Sequence, residues 1–256
     1  MYKHIALSEL KKHLKLSKTY KIDAFVVYGG YNEGYYKKQF LLSLKNRPVK
    51  IEKLRDDFIK KILSVKVGNK RIWFCVEYGG ARLSEFLHFA SMLGSKKNIL
   101  IGTCGGLRKG VDKFTIMVPN CSYSTDSSSH MYIRKNKSNL FDSSPKLSAI
   151  IKNLLLKKGL NVVTGKTITC QAMVGETWGD VVNWNKKGFD GVEMEASTVF
   201  AVSKHFKVPA AAILQVADNL IEKEIVMSES YLEKKKKLKK IRKEMMKVAI
   251  EAIFNP

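Results

Sequence analysis

Three short segments of this sequence combine residue types that could do chemistry. Gly102-Thr103-Cys104-Gly105-Gly106 directly follows the apolar run Asn98–Ile101. Small residues after a strand let the backbone come close to a ligand and point N–H groups at an anion. The segment lacks the lysine of a P-loop and the glycine spacing of a dinucleotide fingerprint, so a tight structural turn explains it equally well. Val192-Glu193-Met194-Glu195-Ala196 sets two carboxylates around a methionine where a strand should give way to a helix. One carboxylate accepts two hydrogen bonds at once, which suits a vicinal diol such as the ribose 2′- and 3′-hydroxyls. The methionine could form an apolar floor under the sugar. The competing reading is a helix start whose first-turn acids suit the macrodipole. Val216-Ala217-Asp218-Asn219 closes the very apolar run Ala210–Val216. An acid at the carboxyl end of a buried strand sits where α/β folds place ligands, and partial burial would equip it to donate a proton. An aspartate that merely opens a turn is the competing reading.

Positioning these groups requires a frame, and the sequence predicts one. Ile22–Tyr28 reads as a strand stopped by Gly29-Gly30. Lys61–Val67 and Lys70–Glu77, joined by Gly68-Asn69, read as a hairpin. Leu83–Leu93 has helical spacing, Asn98–Ile101 is a short buried strand, and Lys113–Val118 is another. Ser143-Ser144-Pro145 predicts a capped helix that stops at Gly159. Further along, Asn161–Thr169 is a strand, Glu176–Lys187 a helix stopped by Gly188, Glu195–Phe206 a helix and Ala210–Val216 a strand. Ser228–Phe254 is a long terminal helix. Ser122–Lys137 is polar and reads as an irregular surface loop or site mouth. Alternating strands and helices argue for α/β architecture with a parallel or mixed sheet covered on both faces. No repeat or linker divides residues 1–256, which predicts a single domain.

Composition narrows the function. Apolar residues make up 45% of the 256-residue chain, enough for a sizeable core. The net charge of +23 raises nucleic acid as a partner, but only seven of the 46 basic residues are arginine. Base reading and phosphate clamping favour arginine's planar fork, so dispersed lysine reads as a solvated surface. The same holds for the lysine-rich run Leu232–Lys247. The four cysteines form no C-x-x-C pair and have no histidine cluster beside them, so no metal site is expected. No secretory signal and no membrane-spanning run is seen, which predicts a cytoplasmic protein with reduced thiols.

Taken together and in this order, G-T-C-G-G, V-E-M-E-A and the later aspartate resemble the nucleoside phosphorylase family of bacterial purine nucleoside phosphorylases and uridine phosphorylases. The resemblance implies a three-layer α/β/α fold with a central mixed, partly barrel-like sheet. It implies phosphate-dependent cleavage of a ribonucleoside, favouring purines, with no cofactor beyond inorganic phosphate as co-substrate. Glu195 would hold the ribose hydroxyls, Met194 would lie against the sugar, and His4 would reach a ribose 5′-hydroxyl across a subunit interface. Asp218 would protonate purine N7. Thr103 and Gly29 would lie at phosphate, with Cys104, Gly105, Met173 and Glu193 around the base. A homo-oligomer, dimer or hexamer, follows from the same resemblance.

The match also has gaps. Leu100 stands where the family has a phosphate arginine, and Tyr28–Glu33 replaces the family's Pro-Gly-Asp-Pro segment and the arginine after it. Arg47, Arg55 and Arg82 are the candidates to replace that charge, with Lys234 a further one. A bidentate arginine is roughly twice as strong a partner as a neutral donor, so its loss is substantial. A hydrolytic nucleosidase on the same fold is therefore the alternative. A basic nucleotide- or nucleic-acid-binding protein is another.

Overall fold

The computed structural model describes residues 4–135, 137–223 and 229–255, with side chains of the last helix from residue 237 onward. In chain order the elements are α1 (Leu7–His13), β1 (Ala24–Gly29), α2 (Glu33–Ser43), β2 (Val49–Glu52), β3 (Leu63–Val67), β4 (Lys70–Glu77) and α3 (Gly80–Met92). There follow β5 (Asn98–Gly106), β6 (Ile116–Ser124), α4 (Ser127–Tyr132), β7 (Leu140–Asp142), α5 (Pro145–Lys157) and β8 (Val162–Thr169). The chain ends with α6 (Trp178–Lys186), β9 (Gly191–Glu193), α7 (Ala196–His205), β10 (Ala210–Asn219) and α8 (Glu229–Phe254).

All ten strands belong to one mixed sheet, and β5 pairs with β1, β9 and β10. The path β5–β10–β6–β8–β9 returns to β5, so five strands close on themselves while β1, β4, β3 and β2 extend outward. Closure removes edges that would otherwise expose unpaired backbone. Side-chain alternation explains the layers. Phe25, Val27, Leu100 and Leu214 face one core with α1, α3 and α7, whereas Val26, Ile99, Ile101 and Ile213 face the other with α2, α5 and α8. Both faces are covered, so these strands read as continuous apolar runs.

Several predicted elements appear as expected. The Gly68-Asn69 hairpin pairs Val67 with Lys70. Ser144 caps α5 by accepting from the Leu147 amide, with Pro145 in its first turn. Other expectations need correction. Ser122–Lys137 is not irregular throughout: Ser122–Ser124 complete β6 and Ser127–Tyr132 form α4, whose Asp126 cap accepts from the Ser129 amide. Short polar side chains there bond one another inside the protein, with Ser129 and Ser197 hydroxyls 3.0 Å apart and Ser197 donating to Asp126 at 2.9 Å. Polarity alone therefore did not mean exposure. The glycine-rich run after Ile101 is not a turn either, because β5 continues through it to Gly106. Residue 228, where the last helix was expected to begin, lies outside the described residues, as does the Lys234 side chain.

Helices α3 and α7 approach closely through Gly80. A Cβ built there would clash with Thr198 Oγ1, a buried hydroxyl without a hydrogen-bond partner among the described residues. Gly80→Ala is expected to cost about 1–3 kcal/mol through overpacking, read as a lower denaturant midpoint. Thr198→Ala in the same chain should restore part of that loss. Equal midpoints for Gly80→Ala and the parent would refute the close-packing account.

Candidate active site

The carboxyl ends of β1, β5 and β10 converge with the β9–α7 junction around one cavity of about 440 Å³. Its described walls include Gly29, Thr103, Cys104, Gly105, Met173, Glu193, Met194, Glu195 and Asp218, nine of the residues singled out from the sequence. His4, Arg55 and Arg82 are not among the described lining residues. His4 and Arg55 are exposed. The Arg82 guanidinium lies 3.6 Å from Glu77 and over the Phe86 ring. Arg47 lies over the Phe254 ring at the end of α8. Leu100 is fully buried in the core beneath α3 and α7.

Glu193 and Glu195 have different surroundings although two residues apart. Glu193 Oε1 accepts from the hydroxyls of Ser122 (2.8 Å), Thr167 (3.2 Å) and Thr169 (2.6 Å). Its Oε2 accepts from the backbone amides of Glu195 (2.7 Å) and Ala196 (2.6 Å). Burial pushes this carboxyl's pKa up, and the hydrogen bonds from Ala196, Thr169, Glu195 and Ser122 oppose that rise. Glu193 thus fastens β9 and the start of α7 to β6 and β8. Glu195 Oε1 accepts from the Gly79 amide at 2.8 Å. Burial, then the neighbouring Glu193 charge, pushes its pKa up to about 8. Glycine at position 29 makes this arrangement possible, because a Cβ there would sit 2.7 Å from Glu195 Oε2. Gln171 joins the same corner, donating to the Met194 carbonyl and accepting from the Gly80 amide.

Asp218 comes from the far end of β10. The β10–β5 register shifts between Val216 and Asp218, so Ala217 forms a bulge. A bulge re-aims the next side chain, and here Asp218 reaches the cavity while remaining inside a strand. Gly105 leaves the room for it: a Cβ there would meet Leu220 at 2.9 Å, Val192 at 3.1 Å and Asp218 Oδ1 at 3.3 Å. The glycines of G-T-C-G-G therefore let three strands close tightly. Cys104 is buried, and burial with the nearby Glu193 and Asp218 holds its thiol well above its ordinary pKa. That shift favours the neutral thiol at the cavity wall.

Sequence reasoning missed Tyr78, Glu176, Trp178 and Lys223, which also line the cavity. The Tyr78 hydroxyl lies 3.9 Å from the Met173 sulfur, and the Lys223 ammonium sits 5.4 Å from the Trp178 ring centre. Burial first, then the Asp218 and Asp180 charges, pushes the Glu176 pKa up to about 7. These residues stand on loops and at a helix start, with no local spacing that marks them. Among the described lining residues the ionisable side chains are thus dominated by four carboxyls, with Lys223 the one basic group. No group of three or more His, Cys, Asp or Glu among the described residues is arranged to hold a metal. No helix among them is long and apolar enough to cross a membrane.

A closed mixed sheet between two helical layers, with a carboxyl-lined cavity at its strand ends, defines the α/β architecture of this chain. Two solved structures share it. The purine nucleoside phosphorylase of Toxoplasma gondii in complex with immucillin-H matches with TM-score 0.72 at 15% identity, covering 94% of each chain. Uridine phosphorylase from Vibrio fischeri matches with TM-score 0.72 at 17% identity, covering 91% of this chain and 95% of that one. The family model of the phosphorylase superfamily matches residues 59–254, and the chain belongs to that superfamily. Among curated relatives, a DeoD-type purine nucleoside phosphorylase of Clostridium beijerinckii is 29% identical over 136 residues, 53% of this chain and 57% of that protein. The match thus spans little more than half that relative's length. A DeoD-type 2 enzyme of Vibrio vulnificus is 25% identical over 228 residues, 81% of this chain and 90% of its own length.

Proposed function

We propose that this protein cleaves the N-glycosidic bond of a purine ribonucleoside and transfers the ribosyl group to inorganic phosphate. The observation that carries the reading is that Glu195 and Asp218 line one cavity large enough for a nucleoside. In this reading Glu195 accepts the ribose 2′- and 3′-hydroxyls, Met194 lies under the sugar, and Thr103 with Gly29 borders the phosphate. Bond cleavage builds positive charge on the ribose and negative charge on the base. Phosphate oxygens stabilise the first, and a proton from Asp218 neutralises the second. The C1′–N9 bond breaks with its electron pair leaving on the base. A phosphate oxygen forms the new bond to C1′.

Glu193, whose carboxyl is occupied by five internal donors, acts in this scheme as a positioning residue for Glu195 instead of touching the base. Cys104, Gly105 and Met173 remain in our reading as walls for the base. The purine preference rests on the purine phosphorylases among its relatives and on an aspartate at the acid position. Four free thiols suit a cytoplasmic setting. A homo-oligomer would bring His4, or an exposed arginine such as Arg55, to a neighbouring site.

Hydrolysis is the second reading, and one observation favours it. Leu100 lies in the core, and the cavity's ionisable lining is predominantly carboxyl, which disfavours a multiply charged anion. Inosine and adenosine turnover with and without phosphate, with the sugar product identified, separates the two. Ribose 1-phosphate formed only with phosphate is the expected result. Free ribose formed at equal rates in both conditions would overturn phosphorolysis and leave glycosidic cleavage standing.

A further inference from the structure

Gln171 is not among the described lining residues of the cavity, yet its side chain bonds two segments that build it. Its root is fixed. β8 pairs Thr169 with Glu193, and the Cys170 amide donates to the Glu193 carbonyl at 2.8 Å. From there the side chain spans from the β9–α7 junction to the start of α3. Its Nε2 donates to the Met194 carbonyl at 2.9 Å, and its Oε1 accepts from the Gly80 amide at 3.1 Å.

The start of α3 needs such a partner. The first amides of a helix have no acceptor within it, and the residue at the cap position, Gly79, has no side chain to supply one. Two side chains from elsewhere take that part. Glu195 Oε1 accepts from the Gly79 amide at 2.8 Å, and Gln171 accepts from the next amide. The glycines leave the room. Gly79 has φ +83°, in the left-handed region, and a Cβ on it would sit 2.9 Å from Gln171 Oε1. A Cβ on Gly80 would lie 3.3 Å from Gln171 Nε2. Only the two dihedrals of Gly79 separate the two amides, so the tie at Gly80 limits where the Gly79 amide can lie.

We propose that Gln171 is a positioning residue that sets how strongly this site depends on the ribose 2′- and 3′-hydroxyls. It acts through Glu195. By tying Gly80 to the Met194 peptide, it keeps the Gly79 amide on Glu195 Oε1 and so holds that carboxylate in orientation for the diol. The assignment rests on the nucleoside reading given above, with Glu195 at the ribose. A primary amide suits the task because it carries a donor and an acceptor on one plane. A carboxylate offers only acceptors and an ammonium only donors. Orientation matters because a misplacement of about 1 Å can cost about 10²-fold in rate.

The test compares two readouts in the parent, Gln171→Leu and Gln171→Asn. One is kcat/KM for inosine with phosphate present. The other is the inhibition constant of 2′,3′-dideoxyinosine against it, a ligand that has no diol for Glu195 to hold. Gln171→Leu removes both hydrogen bonds. Gln171→Asn keeps the amide but is one methylene too short to span both partners. Each should lower kcat/KM for inosine about tenfold or more, chiefly through KM. The inhibition constant of the dideoxy compound should stay as in the parent. A residue with only a structural role would weaken both compounds together. Equal losses for the two compounds, or no loss for inosine, overturn this assignment alone. Neither turnover of inosine nor adenosine by the parent, nor inhibition by the dideoxy compound, overturns the nucleoside reading and this assignment with it.

Discussion

Replacing Asp218 with asparagine is expected to lower kcat on a purine ribonucleoside by about 10²–10⁴-fold with little change in KM. Asparagine has the same shape, so it fits the space left by Gly105 and keeps the bulge at Ala217. Its amide can hydrogen-bond a ring nitrogen in the ground state but has no acidic proton to transfer. The loss therefore falls on the transition state, where negative charge develops on the departing base. Steady-state kinetics on inosine reads both quantities. An unaltered kcat would remove Asp218 from the role of acid, whereas a rise in KM alone would make it a binding group.

Glu195→Gln should chiefly weaken ribose binding. A hydrogen bond to a charged acceptor contributes about 1.5–3 kcal/mol, so losing the charge behind two of them should cut kcat/KM by roughly 10–100-fold or more. The amide oxygen can still accept from Gly79, which keeps the corner folded. The pKa adds a second signature. At neutral pH the empty site holds Glu195 largely protonated, since its pKa is about 8. Two ribose hydroxyls donate to the ionised form and lower that pKa, so nucleoside binding should release a proton. Calorimetry in buffers of different ionisation heat measures that proton, and Glu195→Gln should abolish it. Proton uptake, or no buffer dependence in the parent, would contradict the assignment.

The same shift has a consequence for stability. Glu195's folded pKa lies above its ordinary value of 4.5, so no penalty exists below about 4.5 and the full penalty exists above about 8. The empty protein should lose stability as pH rises through that window, by on the order of a few kcal/mol. Glu195→Gln should lose less there while binding nucleoside worse. The site is thus built at the expense of the empty protein's stability.

The sequence was most legible where a local rule has one physical cause. The Ser144-Pro145 helix start, the Gly68-Asn69 hairpin and the two-sided apolar strands needed only capping, turn geometry and period-two burial. The site was partly legible because Glu195 and Asp218 stand in segments whose residue types and order resemble a known family. It was least legible at α4, where serines and an aspartate satisfy one another in the interior, so that their polarity looked like exposure.

By itself, the sequence determined the alternation of strands and helices, the carboxylates available for chemistry and the absence of an arginine at position 100. Those properties reside in residue type and near-neighbour spacing. Only the tertiary structure decided what surrounds each group. Closure of five strands brought β5, β9 and β10 together and turned a suspected glycine turn into the tight wall beneath Asp218. Packing gave Glu193 five donors from β6, β8 and the start of α7, and set Glu195 against the Gly79 amide at the cavity wall. It also brought Glu176 into the cavity of Asp218, 42 residues away in the chain. Desolvation and the field of neighbouring charges depend on positions in space, so no reading of spacing along the chain could supply them.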